Sequence, residues 1–236
     1  MNYHDLLARL GEGSAHPGGF EATRRLLKRI RIPPGSKVLE VGCGTGRTAC
    51  MLAQQGLDVT AVDVHPGMLD KARRRARLTG SPVRFVAGDA TSLPFSDQAF
   101  DVVFAESVTV FTRGDGAFRE YRRVLKPGGR LWDREMALSG GRSSVRSCRD
   151  LAAFYGIRHL MSPRQWTDWL RSSGFRRIRI SVARPRIDLY GDADPVREWD
   201  PSLLQDEEAL RLLRRNAELL AKYRGRILSV LMTAVK

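Results

Sequence analysis

The sequence predicts an α/β domain in which helices cover both faces of a mostly parallel β-sheet. Short apolar segments that suit buried strands alternate with segments of helical periodicity along much of the chain. The first apolar segment runs directly into a glycine-rich turn, and acidic residues follow the ends of successive strands. Alternating strands and helices favour parallel pairing with right-handed crossovers. A ligand site is therefore expected at the carboxyl ends of the strands, where such sheets bind ligands.

A helical cap is predicted for residues 1–33, ahead of the first strand. Thr23, Leu26, Leu27 and Ile30 recur at helical spacing, and this apolar stripe is assigned to the core. The loop of residues 15–20 precedes this helix and contains His16 followed by Pro-Gly-Gly.

The first strand and its turn read Val38-Leu39-Glu40-Val41-Gly42-Cys43-Gly44-Thr45-Gly46. Glycine reaches φ > 0 without strain and lets backbone approach a ligand that faces the N-terminus of the next helix, so a nucleotide-like cofactor is predicted. NAD and FAD need the spacing GxGxxG for their pyrophosphate, and Arg47 stands at its third glycine position. Glu40 would repel phosphates but attract an amino group. The turn therefore favours S-adenosylmethionine, which has a zwitterionic amino acid end and a sulfonium cation.

Each of the next two strands is followed by an acidic residue. The strand Val59–Asp63 ends on a carboxylate placed to accept from both ribose hydroxyls, and each charge-assisted hydrogen bond contributes about 1.5–3 kcal/mol. The strand Val83–Ala87 leads into Asp89, which is placed to accept from an adenine amino group. A local turn or helix cap is the alternative for Asp89, because Asp is common in turns.

These motifs, together with Leu93-Pro94-Phe95, Phe100–Val103 and Arg123–Gly129, resemble the class I S-adenosylmethionine-dependent methyltransferases. The similarity covers about residues 20–136 and is greatest to the small-molecule branch (methyltransferase type 11) that includes ubiquinone/menaquinone biosynthesis enzymes. It implies a Rossmann-like three-layer sandwich whose seven-stranded sheet has the order 3-2-1-4-5-7-6, with the last strand antiparallel. It implies S-adenosyl-L-methionine as cofactor and leaves the acceptor open.

The resemblance also assigns cofactor contacts by position. The first motif would lie under the methionine part, Asp63 would bind the ribose, and Val64 and Met68 would lie near the adenine. Glu106, after the fourth strand, sits where cofactor and substrate meet, although the family has no fixed role for it. The loop with His16 would lie over the pocket. The implied cofactor-binding residues are Glu40, Gly42, Cys43, Gly44, Thr45, Gly46, Asp63, Val64, Met68, Gly88, Asp89, Ala90 and Glu106.

The remaining elements complete one predicted domain, with a cofactor-binding core at 34–136 and substrate-side elements at 137–236. A helix begins at the N-cap Ser162 and ends at Gly174. Strands are predicted at Phe175 to Val182 and Arg226 to Val235. A helix from Asp206 to Tyr223 lies between them, and packing is favoured over a lid as its role.

Methyl transfer from a sulfonium is an in-line displacement, in which positioning alone contributes about 7–11 kcal/mol. A base is needed only if the acceptor still carries a proton. The catalytic residues stay unassigned. The candidate bases are His16, Glu106 and Glu135, the last placed at the end of the fifth strand with a turn cap as its alternative role, followed by Tyr3, His4, Tyr155 and His159.

The net charge of +14, with 40 Lys and Arg, raises the alternative of an RNA (rRNA or tRNA) methyltransferase. The arginines are spread over nearly every segment, and the cluster Arg73–Arg75 is assigned to a solvated helix face. Residues Glu106–Phe111 lack the Pro-Pro-aromatic turn with which many base methyltransferases clamp a flipped base. A small-molecule acceptor is therefore favoured over nucleic acid.

Two further alternatives are a non-catalytic S-adenosylmethionine-binding protein and a hydride-transfer enzyme, the latter disfavoured by Arg47. Cys43, Cys50 and Cys148 are odd in number and unpatterned, so neither a disulfide framework nor a metal site is expected. The sequence shows no membrane-spanning run and no secretory leader, and a cytoplasmic location is predicted. The oligomeric state is left open.

Overall fold

The computed structural model describes residues 1–140, 148–185 and 193–236. Within these ranges a seven-stranded sheet has the order β3-β2-β1-β4-β5-β7-β6, so the predicted fold is confirmed. The strands are β1 (Lys37–Val41), β2 (Asp58–Asp63), β3 (Val83–Ala87), β4 (Phe100–Glu106), β5 (Leu125–Leu138), β6 (Arg176–Ala183) and β7 (Ile227–Val235).

Helices precede, connect and follow these strands. Those of the described ranges are α1 (Tyr3–Leu10), α2 (Gly19–Arg29), α3 (Arg47–Gln54), α4 (Pro66–Thr79), α5 (Gly116–Val124), α6 (Arg149–Tyr155), α7 (Pro163–Ser172) and α8 (Glu207–Tyr223). Short 3₁₀ turns lie at Thr109–Phe111 and Pro201–Gln205. None of the helices described is both long and apolar enough to cross a membrane.

The sheet is parallel from β3 to β5, and β7 runs antiparallel to both of its neighbours. The chain leaves β1 toward β2 and later returns to β4 on the other side of β1. This reversal of strand order opens a crevice at the carboxyl ends of β1 and β4, and ligands bind at such switch points. The glycine-rich turn follows β1 directly.

Apolar side chains on alternate positions of the central strands fill two separate core layers. In β1, Val38 faces the layer packed against α2 and α3, whereas Leu39 and Val41 face the layer that contains α5 and α7. Parallel strands covered on both faces need nearly continuous apolar sequence, which explains why β1 and β4 were recognisable. One core layer lies on each face of the sheet, between the sheet and the helices that cover it. Helices, sheet and helices are the three layers of the sandwich.

The fifth strand is longer than the sequence indicated. Glu135 was expected at its end, but β5 continues to Leu138 because β7 pairs with it without interruption over Arg130–Leu138. The expected position of Glu135 is therefore wrong. Its side chain is fully buried within the sheet rather than at a strand tip.

Candidate functional site

A cavity of about 730 Å³ opens at the carboxyl ends of β1, β2, β3 and β4. One side of it, here called the glycine-loop half, is formed by the turn after β1 and by the residues that follow β2, β3 and β4. The other side consists of α1, the segment 111–113 and the end of α6.

Eleven of the thirteen residues predicted to bind the cofactor line this cavity. Thr45 and Gly46 do not. Gly46 instead lets α3 approach α4, since a Cβ there would lie 2.9 Å from the Cβ of Ala72. The eleven residues of the cavity wall are Glu40, Gly42, Cys43, Gly44, Asp63, Val64, Met68, Gly88, Asp89, Ala90 and Glu106.

Gly42 is required by both its conformation and its surroundings. Its φ is +68°, and a Cβ added to it would lie 2.2 Å from Cγ2 of Val108. The amide groups of Gly42 and Cys43 both donate to the carbonyl of Val62, at 2.7 and 3.0 Å. The turn is therefore fixed to the adjacent strand β2, and the absence of a side chain at Gly42 lets Val108 pack against it.

Asp63 connects the turn after β1 to the start of α4. Its Oδ2 accepts from the amide of Gly44 at 2.8 Å, and its Oδ1 accepts from the amide of His65 at 2.9 Å. Each carboxylate oxygen has a further lone pair, so these bonds orient the group without exhausting it as an acceptor. The side chain lines the cavity beside Val64, which is 72% exposed, and Met68, which is buried.

Glu40 is a buried acid at the base of the cavity. The residue is 6% exposed, and within the described ranges its Oε2 has no hydrogen-bond partner. Burial raises the pKa of Glu40 well above its usual range, and the charges of Glu106 and Asp63 add to this effect. A buried carboxyl group without a partner costs stability, whereas a cationic amino group next to it would offset that cost. The carboxyl group of Glu40 thus fits the ammonium of an amino acid.

Glu106 is the centre of a buried hydrogen-bonded cluster. Its Oε1 accepts from Nε of Arg134 at 2.7 Å and its Oε2 accepts from Oγ1 of Thr23 at 2.7 Å. Nε2 of His16 lies 3.0 Å from the same Thr23 oxygen and 3.5 Å from Glu106. Burial, with a smaller contribution from Arg134, lowers the pKa of His16 despite the opposing charge of Glu106. The cluster attaches the 15–20 loop and α2 to β4 and β5.

Asp89 closes a turn, which is the alternative role considered for it, and its contact with adenine stays a prediction. Its Oδ1 accepts from the amide and the hydroxyl of Thr91, each at 2.7 Å, which closes the turn after β3. The residue also lines the cavity.

Glu135 supports the site from below without lining the cavity. Its Oε1 accepts from the amides of Val108 and Thr109, at 2.9 and 2.7 Å, and so holds the turn after β4. Burial raises the pKa of Glu135 well above its usual range and that of Asp133 to about 7. Oδ1 of Asp133 and Oε2 of Glu135 have no other hydrogen-bond partner among the described residues. A proton held between the two carboxyl groups satisfies both.

The side of the cavity opposite the glycine loop is aromatic. The ring of Tyr3 lies 4.7 Å from that of Tyr155 and 5.5 Å from that of Phe154, and His4 meets Phe111 edge-on at 4.7 Å. We call these five residues, with the exposed Arg113 and Arg158 at their rim, the aromatic lobe. Its components come from three separate chain segments, and only the base candidates among them drew attention in the sequence.

Residues 193–206, here called the strap, contact α4 at Lys71, Arg74 and Arg75 and also hold the N-terminal segment. Asp194 is 3% exposed in its side chain and accepts from both terminal nitrogens of Arg75, at 2.9 and 2.5 Å. Arg75 was expected on a solvated face and is instead buried, so that expectation is wrong. Farther along the strap, Arg197 pairs with Glu12 at 2.9 Å.

Two further observations concern Arg47 and metal binding. Arg47, which stands where a dinucleotide fingerprint has glycine, stacks on the ring of Phe20 at 3.6 Å and donates to the carbonyl of Ala193 at 2.9 Å. No group of three His, Cys, Asp or Glu residues in the described part of the chain could hold a metal ion.

Comparison with known proteins identifies relatives over nearly the whole chain. Residues 38–129 match the family described as methyltransferase domain. The uncharacterized methyltransferase YodH of Bacillus subtilis is 33% identical over 221 residues, which are 94% of this chain and 93% of YodH. Phosphoethanolamine N-methyltransferase 3 of Arabidopsis thaliana is 29% identical over 76% of this chain and 36% of that protein.

Solved structures share the fold. The [4+2]-cyclase SpnF superposes with a TM-score of 0.78 at 25% identity, covering 98% of this chain and 92% of SpnF. Phosphoethanolamine N-methyltransferase 2 of Haemonchus contortus, in complex with phosphomonomethylethanolamine and S-adenosylhomocysteine, gives a TM-score of 0.76 at 24% identity. That match covers 99% of this chain and 56% of the nematode protein.

Proposed function

The chain belongs to the class I S-adenosylmethionine-dependent methyltransferases, and from that premise we propose that it methylates a small-molecule acceptor by in-line displacement. The observation that carries the proposal is the single cavity of about 730 Å³ that joins the glycine-loop half to the aromatic lobe. Its volume lies in the range of about 300–1,000 Å³ that is usual for small-molecule sites. Both reactants therefore have room in one enclosure.

The residues of the glycine-loop half fit the cofactor by their chemistry. In this proposal Glu40 accepts from the ammonium of the methionine part, and the backbone of the turn at Gly42 and Gly44 lies against the rest of that part. Asp63 accepts from the ribose hydroxyls, and Asp89 lies toward the adenine. When bound, the cofactor supplies an electrophilic methyl group on a sulfonium. The protein then contributes mainly position, worth about 7–11 kcal/mol in well-oriented reactions.

A small acceptor is favoured over RNA by the shape and charge of the site. The aromatic lobe lies inside the same cavity as the glycine loop. Arg75, which belongs to a basic cluster in the sequence, forms a buried ion pair with Asp194 and is not exposed for contact with RNA. The named relatives include phosphoethanolamine methyltransferases, which act on a small molecule. The cytoplasmic location and the domain boundaries at 1–33, 34–136 and 137–236 stay predictions.

Titration calorimetry with S-adenosylmethionine and S-adenosylhomocysteine tests the cofactor side. We expect dissociation constants in the micromolar range for both and no heat from NAD, because Arg47 fills the position of the third fingerprint glycine. Binding of NAD, or of none of the three, would contradict the proposal.

Asp63→Asn tests the proposed ribose contact. Loss of charge-assisted hydrogen bonds, worth about 1.5–3 kcal/mol each, should weaken S-adenosylhomocysteine binding at least tenfold. Asp58→Asn is the matched control, since Asp58 is exposed at the opposite end of the same strand. Circular dichroism establishes that both variants are folded. Equal affinities in the two would remove the ribose role from Asp63.

Transfer itself needs its own assay, because SpnF has this fold and is a [4+2]-cyclase. Tritium from the labelled methyl group of S-adenosylmethionine should appear in small-molecule acceptors and not in total tRNA. Tritiated tRNA at physiological salt would establish the RNA alternative. Cofactor binding without transfer to any acceptor would favour a non-catalytic binding protein.

A further inference from the structure

We propose that His4 is the general base of this methyltransferase and that the acceptor is a planar hydroxyl compound, such as a phenol, without a cationic group. This inference rests on the proposed methyl transfer and goes beyond it in naming a catalytic residue and an acceptor class. It follows from the position of His4 in the cavity and from the composition of the aromatic lobe.

His4 is held in one orientation within the lobe. Its ring meets that of Phe111 edge-on, with 4.7 Å between centroids and an interplanar angle of 89°. The backbone carbonyl of Tyr155 acts on the imidazole and favours its protonated form. In a neutral imidazole one ring nitrogen carries a proton and the other keeps a lone pair. His4 lines the cavity, so it presents an oriented proton acceptor to a ligand.

Burial favours the neutral form of the His4 imidazole. Burial lowers the pKa of His4, and this outweighs the carbonyl of Tyr155 and the carboxylates of Asp63 and Asp5, which favour the protonated form. His65, whose Nε2 lies 3.5 Å from Oδ1 of Asp5, adds to the lowering. A neutral imidazole can accept a proton at neutral pH without first losing one.

The other titratable groups of the lobe are unsuited to this role. Burial raises the pKa of both Tyr3 and Tyr155 far above neutral, and the hydroxyl of Tyr155 donates to Oδ1 of Asn216 at 2.6 Å. A guanidinium group has no lone pair that accepts a proton, which excludes Arg113 and Arg158. Among the described residues of the lobe, His4 is therefore the group able to take up a proton.

The walls of the lobe define the acceptor class. The rings of Tyr3, Phe111 and Phe154 favour a flat acceptor, because aromatic side chains stack on or meet the edges of other rings. Arg113 and Arg158 at the rim attract an anionic substituent and repel an ammonium. Glu12, the acid whose charge acts on Tyr3, is paired with Arg197. A hydroxyl group on such a ring carries the proton that His4 would remove.

The step is balanced without any further reactant. The hydroxyl proton passes to the free nitrogen of His4 as the oxygen forms a bond to the methyl carbon. The carbon–sulfur bond breaks, and its electron pair stays on the sulfur, which becomes a neutral thioether. The imidazolium then returns its proton to water. The products are the methyl ether, S-adenosylhomocysteine and one proton.

Two catechols of opposite charge test the acceptor class. 3,4-Dihydroxybenzoate and dopamine share the reacting ring, and each is titrated into protein saturated with S-adenosylhomocysteine and assayed for methyl transfer. We expect the benzoate to bind at least tenfold more tightly and to be methylated. Preference for dopamine, or no binding of the benzoate, would overturn the inference. Saturation by S-adenosylhomocysteine in the same experiment shows separately whether the cofactor assignment holds.

His4→Gln tests the base with 3,4-dihydroxybenzoate as substrate. Glutamine retains a donor for the Tyr155 carbonyl but accepts no proton, so kcat should fall about 10²–10⁴-fold, the usual contribution of a general base. KM and the affinity for S-adenosylhomocysteine should be unchanged. In wild type kcat should rise with pH through a pKa below the usual histidine value of about 6.5, and the variant should lose that rise.

Imidazole rescue and a matched control separate catalysis from packing. Added imidazole should restore part of the activity of His4→Gln, which a purely structural role would not allow. His159→Gln is the control, because His159 packs on Trp169 with 4.5 Å between ring centroids and does not line the cavity. An unchanged kcat in His4→Gln, or an equal loss in His159→Gln, would remove the base role from His4.

Discussion

The two halves of the cavity are built by different means. The glycine-loop half consists of strand ends and backbone, and the carbonyl of Val62 and the carboxylate of Asp63 fix its turn through amide hydrogen bonds. The aromatic lobe consists of side chains from helices distant in sequence, and the N-terminal segment beside it is held by the strap. The comparison indicates that the sheet fixes the first half, whereas the second depends on long-range side-chain pairs.

Asp194→Ala should break the strap and give the largest loss of stability. It leaves the buried guanidinium of Arg75 without its partner, and removing one member of a buried pair costs about 3–5 kcal/mol. Asp168→Ala is the control, because its pair with Arg171 is exposed and such pairs contribute about 0–1 kcal/mol. Urea unfolding measures both.

A second variant tests whether the two halves are independent. Asp194 does not suit this test, because its partner Arg75 also donates from Nε to the carbonyl of Thr45 in the glycine-rich turn. Arg197→Ala removes the pair between the strap and Glu12 of the N-terminal segment, so it should weaken binding of 3,4-dihydroxybenzoate more than binding of S-adenosylhomocysteine. Equal weakening of both ligands would show that the strap supports the whole cavity, and the distinction between the halves would fail.

Gly42→Ala should damage the glycine-loop half with a smaller energetic effect. The new Cβ would lie 2.2 Å from Val108, at a φ of +68°, and overpacking of this kind costs about 1–3 kcal/mol. Affinity for S-adenosylhomocysteine should fall by up to about 150-fold, the value reached if the whole cost falls on the bound state, since each tenfold change corresponds to about 1.4 kcal/mol.

Gly35→Ala is the matched control for this substitution. Gly35 also has positive φ, at +76°, but a Cβ there would meet nothing within 4 Å. It reproduces the backbone strain without the clash and lies before β1, away from the cavity wall. A loss of affinity as large as that of Gly42→Ala would show that backbone strain, and not the space beside Val108, decides binding.

The same contrast explains what the sequence could predict. The glycine turn, Asp63 and Asp89 were recognisable because each lies directly after an apolar strand, and parallel strands align their carboxyl ends. Eleven of the thirteen predicted residues accordingly line the cavity. Local order in the chain was enough to locate them.

Pairings between distant parts of the chain are not contained in its local order. Arg75 and Asp194 are separated by 119 positions, so the sequence showed only three arginines on a helix and suggested a solvated face. Glu135 was misplaced because the length of β5 is set by β7, almost a hundred residues later. His4 was one of several candidate bases until the carbonyl of Tyr155 and the ring of Phe111 were found beside it.

The buried pair of Asp133 and Glu135 lies beneath the turn that joins the two halves, and it predicts the smallest effect. Burial raises the pKa of both acids, that of Asp133 to about 7, so the folded protein binds more protons than the unfolded chain above pH 4. Stability contributed by the pair is therefore full below about pH 4 and declines as pH rises through 7.

Glu135→Gln should flatten this decline. The amide oxygen can still accept from Val108 and Thr109, and its nitrogen can donate to Asp133, so the variant should exceed wild type in stability at pH 8 by on the order of 1 kcal/mol. Glu120→Gln should change stability in the opposite direction. Arg123 lowers the pKa of Glu120, so loss of this carboxylate should reduce the free energy of unfolding at pH 8. Thermal unfolding from pH 5 to pH 8 compares the two variants.

A Glu135→Gln protein less stable than wild type at pH 8 would show that the shared proton does not limit stability. With unchanged affinity for S-adenosylhomocysteine, the expected result would place the carboxyl pair outside both halves, as a support for the turn between them.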